Sequence, residues 1–238
     1  GRDARLSAPA ISKAVAEGIA EAGLDVVDIG RCTTPMNYFA VGYYGYEGAV
    51  MITASHNPPQ YIGAKFCRAN AVPMSYETGI NEIEIIVSSG DFKAAGKKGT
   101  ISSRDITDNY KNFIRQFITK IEPLKLVIDT GHGMAAIAIP LVTEGLPLSI
   151  TKLYFNLDGN FPDHEPNPLK EENLRDLIKK VDEEHADLGV AFDGDADRIR
   201  FIDEKGGIVP TDIVTAIIAV DTLRKAGKEE AIVYDLRS

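Results

Sequence analysis

Only two cysteines, Cys32 and Cys67, occur in 238 residues. That is too few for a disulfide framework in a chain of this length, and a reducing, cytoplasmic setting is the expectation. Long apolar runs are also missing. The longest are strand-sized, so neither a membrane span nor a secretory leader is read, and no membrane partner is expected. An excess of basic residues is lacking too: the formal net charge is −9. Nucleic acid is therefore not expected as a partner, because binding its backbone needs a basic face. Small anionic substrates stay open, since a local cluster of Lys, Arg and a metal ion can hold a phosphate on an acidic protein. No segment is of low complexity. What is present is 44% apolar residues, enough for a proper core. The length suits one large domain or two ordinary ones.

Strand-like and helix-like stretches alternate along the chain. Ser7 reads as an N-cap with Pro9 in the first turn, and Ile11, Val15, Ile19 and Ala22 fall on one helical face before Gly23. "DVVDIG", "GAVMIT" and "AKFCR" read as strands, "TPMNYFAVGYY" and "SYETGINEIEIIVS" as helices, and "GDFKAAGKKGT" as a loop. "SSRDITDNYKNFIRQFI" then reads as a helix, "LKLVID" as a strand, "MAAIAIPLVTEG" as a helix despite Pro140, and "SITKLYF" as a strand. Beyond a polar loop, "EENLRDLIKKVDEEH" is a helix, "DLGVAF" and "RIRFID" are strands, and "TDIVTAIIAVDTLRKAG" is a helix before a last strand, "EEAIVYDL". This alternation predicts consecutive three-layer α/β/α domains with mainly parallel mixed sheets. The pattern restarts twice, which places domains at 1–104 and 105–205 and the start of a third at 206–238. The opening at Gly1 and the strand-like close read as ends cut inside structural units.

"TASHNPPQYIGAKF" follows the apolar run "GAVMI". Ligands of α/β sheets bind beyond the carboxyl ends of strands, and that is where Ser55 falls. A serine there is either a nucleophile or phosphate carrier, which needs help from neighbours, or part of an ordinary capped turn. His56 is adjacent, Pro58 and Pro59 stiffen the loop, and Lys65 leads out of it. A half-buried lysine has a lowered pKa and can act as general acid or base; alone, Lys65 reads equally as a solvated surface residue and His56 as a structural hydrogen-bonder.

"AFDGDADRIRF" sets Asp193, Asp195 and Asp197 at every second position after a strand. Three acids this close repel unless a cation lies among them, and hard oxygen donors at this density suit Mg²⁺ or Ca²⁺. Gly194 and Ala196 let the loop fold around an ion, and Arg198 follows, ready for a phosphate oxygen. Other readings are an EF-hand loop, disfavoured by Arg198 where that motif needs glycine; an aspartate nucleophile, which leaves Ser55 idle; and a solvated acidic turn. Taken with the serine loop, the set suggests phosphoryl transfer through a phosphoenzyme.

"TASHNP" and "DGDADR" together resemble the α-D-phosphohexomutases, the family of phosphomannomutase/phosphoglucomutase and phosphoglucosamine mutase. "GRDARLS", "IGRCTTP", "DTGHGM", "HEPNP" and "ENL" agree with it along the chain. The resemblance implies an isomerase that interconverts hexose 1- and 6-phosphates of glucose or mannose through a phosphoserine at Ser55 and a hexose 1,6-bisphosphate. It implies Mg²⁺ held by Ser55, Asp193, Asp195 and Asp197, Lys65 as general acid/base, and His56, Asn57, Arg198 and Arg2 about the phosphate. Its partner is a phosphosugar, and the active site lies in a cleft between domains. Phosphoglucosamine mutase activity and a non-catalytic cation- or sugar-phosphate-binding relative are the alternatives. Family members have four domains, so this chain is expected to be an N-terminal half, without its first strand, that does not complete a mutase cycle alone. Neither monomer nor dimer is favoured. One position departs: Asn-Gly is frequent where Ile62-Gly63 stands, and Ile62 supplies no amide.

Of the remaining motifs, "DTGHGM" reads as a tight left-handed turn needing glycine, with anion binding at a helix N-terminus the other reading. Arg2, Asp3 and Arg5 read as ion pairs beneath the serine loop, of a surface kind that contributes little. His164 and Glu165 in "PDHEPNP" read as part of a rigid connector in preference to metal ligands.

Overall fold

The structure, a computed structural model, describes residues 1–92, 95–118, 120–227 and 231–232. The first layered unit contains α1 (Ala8–Glu21), β1 (Val26–Asp28), α2 (Thr34–Tyr44), β2 (Gly48–Ile52), β3 (Ala64–Arg68), β4 (Val72–Pro73), α3 (Asn81–Ser89) and β5 (Ile101–Ser103). β1 pairs with β5 in parallel, and β2, β3 and β4 form an antiparallel set. The main chain of Arg2 bridges in parallel to Arg31 on one side and Ile52 on the other, so Gly1–Asp3 knits the two sets together. That contact brings Asp3 and Arg5 under the end of β2.

The second unit contains α4 (Thr107–Arg115), β6 (Leu124–Asp129), α5 (Ala135–Thr143), β7 (Leu148–Leu153), α6 (Arg175–Glu184), β8 (Leu188–Phe192) and β9 (Ile199–Ile202), and α7 (Thr211–Ala226) follows. Its sheet runs β7-β6-β8-β9, parallel except for β8 with β9. Side chains alternate across a strand, and β6 shows why both faces are covered. Val127 packs with Leu177 and Val181 of α6, whereas Leu126 and Ile128 pack on the other face with Ile139 of α5. The expected α/β/α layering with mixed sheets is therefore observed. The units meet through an aromatic cluster: the Phe39 ring of α2 lies 5.4 Å from Tyr110 and 5.0 Å from Phe113 of α4. Among the described residues, no helix is long and apolar enough to cross a membrane.

Several local expectations are corrected. Ser7 makes no capping bond; its backbone is already helical at φ −80° and ψ −16°, the wrong geometry for an N-cap. Ile11 stands 39% exposed, so the apolar stripe of α1 is only partly covered. Ser102 and Ser103 belong to β5 and not to a helix, and β4 was not foreseen. Both strands are too short to show a period, and pairing with a neighbour decides them. The strand expected over 229–236 lies, but for 231–232, outside the described residues.

Candidate active site

The serine loop is held from below. Ser55 has φ 52°, a left-handed conformation that costs a non-glycine residue about 1 kcal/mol or more. A buried network over-determines it. The Ser55 amide donates to Thr53 Oγ1 at 2.8 Å, and that hydroxyl donates to Asp3 Oδ2 at 2.7 Å. Arg5 Nη2 donates to the Ser55 carbonyl at 2.8 Å. Asp3 and Arg5 are 2% and 1% exposed, so their pair is not of the surface kind expected from the sequence. The loop closes through the main chain: the Thr53 amide donates to the Gly63 carbonyl at 3.0 Å. A Cβ at position 63 would sit 3.2 Å from the Thr53 carbonyl, which favours glycine there. That closure asks for no amide side chain at Ile62.

The acidic loop turns between β8 and β9, and strands on both flanks rule out an EF-hand. Asp193 Oδ1 accepts from the amides of Asp197 and Arg198, both at 3.1 Å, and Ser55 Oγ donates to Asp193 Oδ2 at 2.8 Å. Asp195 Oδ2 accepts from Thr34 Oγ1 at 2.5 Å and from Lys65 Nζ at 2.6 Å, and Lys65 reaches Asp197 Oδ2 at 2.6 Å as well. The main chain adds a bond from the Thr34 amide to the Asp195 carbonyl at 2.9 Å. Thr34 is the first residue of α2, so the loop lies at a helix N-terminus, where the dipole favours negative charge. Arg198 Nη1 donates to His56 Nδ1 at 2.7 Å. Arginine only donates, so this ring nitrogen is an acceptor and the neutral His56 carries its proton on Nε2. Burial and the Arg198 charge hold the His56 pKa below the usual histidine value.

The charges are unevenly matched. Burial and then the charges of Asp195 and Asp197 push the Asp193 carboxyl well above the usual carboxylate range. Asp195 moves the other way: burial opposes ionisation, but the Lys65 charge and the bonds from Lys65 and Thr34 outweigh it. Burial would lower the Lys65 pKa, yet its two carboxylate partners overcome this and hold it above the ordinary lysine value. The lowered pKa expected from the sequence is thus corrected. Among the described residues, Asp195 Oδ1 is buried and has no hydrogen-bond donor. One oxygen from each of Asp193, Asp195 and Asp197 lies within 4.8 Å of the others. A hard, oxygen-only donor set with an orphaned buried oxygen fits a divalent cation such as Mg²⁺.

A family model described as phosphoglucomutase/phosphomannomutase, alpha/beta/alpha domain I, matches residues 1–94, and the model for domain II matches residues 107–207. The chain belongs to the phosphoglucomutase/phosphomannomutase family. It is 38% identical over 238 residues to a phosphomannomutase/phosphoglucomutase of Pseudomonas aeruginosa, covering 100% of this chain and 50% of that protein. With a phosphomannomutase of Vibrio cholerae it shares 37% identity over 244 residues, covering 100% and 52%. A crystal structure of a phosphoglucomutase/phosphomannomutase family protein from Burkholderia thailandensis superposes with a TM-score of 0.87 at 34% identity, over 94% of this chain and 50% of that one. The chain thus spans about half the length of the curated relatives it matches.

Ser55, His56, Lys65, Asp193, Asp195, Asp197 and Arg198 are brought together by the bonds above. Arg2 is not among them: its Nη1 lies on Asp28, 3.0 and 2.9 Å from the two carboxylate oxygens. Asn57 is exposed and contributes its carbonyl to Arg5 at 2.7 Å. Sequence reasoning missed Thr34 and the central place of Arg5. A signal for Thr34 was present, because Thr33 caps α2 by accepting from the Met36 amide at 3.1 Å, with proline following Thr34. "DTGHGM" does hold left-handed residues, Gly131 at φ 50° and His132 at φ 59°. Gly133 matters differently: a Cβ there would lie 2.7 Å from the Gly194 carbonyl oxygen. The "PDHEPNP" segment is more than a connector, since His164 bonds Asp129 at 3.1 Å and Pro166 packs 3.4 Å from where a Cβ of Gly194 would be.

Proposed function

We propose that this chain carries the phosphoserine and metal loops of a phosphohexose mutase, interconverting hexose 1-phosphate and hexose 6-phosphate of glucose or mannose through a hexose 1,6-bisphosphate. The observation that carries the reading is the 2.8 Å bond from Ser55 Oγ to Asp193 Oδ2, with Lys65 held on Asp195 and Asp197 beside it. A nucleophile-type serine, a proton carrier and a cation-ready donor set converge from two sequence-distant loops. Phosphoglucosamine mutase activity is the second substrate reading within the same chemistry. Domains are assigned to 1–104 and 105–205, with a third beginning at 206, and the site to the cleft between the first two.

The chain's residues divide the work as follows. When the phosphoryl group leaves Ser55 for a sugar hydroxyl, the Oγ–P bond breaks, the sugar O–P bond forms, Lys65 takes the sugar hydroxyl proton, and the released Oγ takes up a proton from solvent. When Ser55 is rephosphorylated from the bisphosphate, the sugar O–P bond breaks, the Oγ–P bond forms, the Ser55 hydroxyl proton passes to solvent, and the Lys65 ammonium protonates the departing sugar oxygen. Lys65 Nζ lies 2.6 Å from both Asp195 Oδ2 and Asp197 Oδ2, between the serine loop and the acidic loop, where it can pass a proton to or from the sugar oxygen. The proton at Ser55 already points at Asp193. Arg198 and the neutral His56 supply donors for phosphoryl oxygens. Mg²⁺, when bound, would be held by Asp193, Asp195, Asp197 and an oxygen at Ser55, and would supply charge neutralisation of the phosphoryl group.

The test is peptide mass spectrometry of the full-length protein after incubation with glucose 1,6-bisphosphate and Mg²⁺. One phosphate on Ser55, discharged by glucose 1-phosphate more slowly in Asp195→Ala or after metal removal, is expected. A Ser55 that stays unmodified under all conditions refutes the mutase reading and leaves a binding protein with these loops.

A further inference from the structure

We propose that Arg5 is a positioning residue for Ser55, locked in place by the turn Asp158–Phe161 of the second unit; this rests on reading Ser55 as the phosphoryl carrier. A guanidinium has five N–H donors in a rigid fork, and here each one has its own acceptor. Nε donates to Asp3 Oδ2 at 3.1 Å. Nη1 donates to the carbonyls of Pro58 at 2.7 Å and Tyr61 at 3.1 Å, and Nη2 to those of Ser55 at 2.8 Å and Asn57 at 2.7 Å. Four carbonyls of one loop thus converge on a single buried cation that has no bond to Asp193, Asp195 or Asp197. The loop they anchor is the one that keeps Ser55 left-handed.

The lock comes from a segment distant in sequence. The Phe161 ring centroid lies 5.2 Å from Arg5 Cζ, and the ring is only 7% exposed. Phe161 itself has φ 49°, and its amide closes the turn on the Asp158 carbonyl at 3.1 Å. A Cβ on Gly159 would stand 2.3 Å from the Ala4 carbonyl oxygen and 2.7 Å from Arg5 Cα. Only glycine lets this turn lie directly on the backbone that carries Arg5. The Asp158 amide donates to the His132 carbonyl at 3.1 Å, so the turn is tied to the loop that packs on Gly194. The serine loop and the acidic loop are therefore registered to each other behind the site as well as across it.

Arg5→Lys, Phe161→Leu and Gly159→Ala in the full-length protein test this, with amide hydrogen exchange over residues 53–63, Mn²⁺ affinity, and kcat and KM for glucose 1-phosphate. Lysine offers three donors where five are used. The expected result is exchange faster by about tenfold or more at the protected amides of Thr53, Asn57 and Tyr61. Mn²⁺ affinity falls less than kcat, because three of the four residues that would hold the ion lie on the acidic loop, and kcat falls by about 10²-fold at unchanged KM, as a misplaced reacting group requires. Should Arg5→Lys not fold, the two turn variants read the same quantities. Unchanged exchange across the variants overturns the proposal, and so does a loosened loop with an unchanged kcat. A wild type that never takes phosphate, with the loop loosened in the variants, supports the hold of Arg5 on the loop and refutes the mutase reading alone.

Discussion

Replacing Thr34 by valine removes one hydroxyl and almost no volume. That hydroxyl donates to Asp195 Oδ2 at 2.5 Å, and both side chains are 0% exposed. Hydrogen bonds to charged groups contribute about 1.5–3 kcal/mol, and a buried acceptor left without its donor loses that in full. With Asp195 0% exposed, bulk solvent is no ready substitute for that donor. Thr34→Val should therefore destabilise by about 2 kcal/mol, or about 4–8 °C in Tm for a chain of this size. Part of the loss should appear at the cation site, because Asp195 then keeps only Lys65 as a side-chain donor. A rise in the Mn²⁺ Kd of about tenfold corresponds to about 1.4 kcal/mol. Thr34→Ser keeps the hydroxyl and should retain most of both quantities. The assays are thermal unfolding and Mn²⁺ titration of the three proteins side by side. A valine variant that matches the wild type in both, or a serine variant as impaired as valine, would show that this contact does not register the two loops.

Gly133→Ala places a Cβ 2.7 Å from the Gly194 carbonyl oxygen and 2.8 Å from Gly194 Cα, so backbone must move. Overpacking of this kind costs about 1–3 kcal/mol; chemical denaturation should show that loss with weakened Mn²⁺ binding, and a neutral variant would contradict the close approach. His164 gives a pH dependence: burial works against its protonation, but the bond and charge of Asp129 outweigh it and hold its pKa above the ordinary histidine value. A raised folded pKa contributes stability that is fully present below the unfolded value of about 6.5 and is lost as pH rises through the folded value. Urea unfolding across that window should show wild-type stability falling with rising pH and a flatter profile in His164→Gln; identical slopes would remove the pair from the account. Leu177→Ala in the second core, where Leu177 is 0% exposed, should cost about 2–5 kcal/mol in the same assay.

The sequence pattern was most legible where one strand or one loop sufficed. β3 was read with its observed bounds, Ala64–Arg68, and so was α2, because proline and an apolar period mark them locally. The acids at 193, 195 and 197 suggested a candidate cation site through their own repulsion. Legibility failed wherever meaning came from a partner far along the chain. Lys65 read as a lysine with a lowered pKa because burial was inferable and Asp195, 130 residues away, was not. Arg2 and Arg5 read alike as neighbours in "GRDARLS", yet one lies on Asp28 and the other beneath Ser55. Ser102 and Ser103 of β5 read as helix because only β1, 75 residues earlier by the pairing of Val26 with Ile101, gives them a ladder to join. "NLDGNFPDHEPNPLK" read as a polar loop, and its "PDHEPNP" part as a connector, because prolines and polar residues describe a stiff loop equally well in solvent and against a neighbour. What distinguishes the two is Gly159, whose missing Cβ has meaning only beside Ala4 and Arg5. A glycine in a polar loop carries no local mark of whether it serves a turn or a close approach. The candidate site residues were thus proposed from their own types, and the residues that hold them in register become visible only in three dimensions.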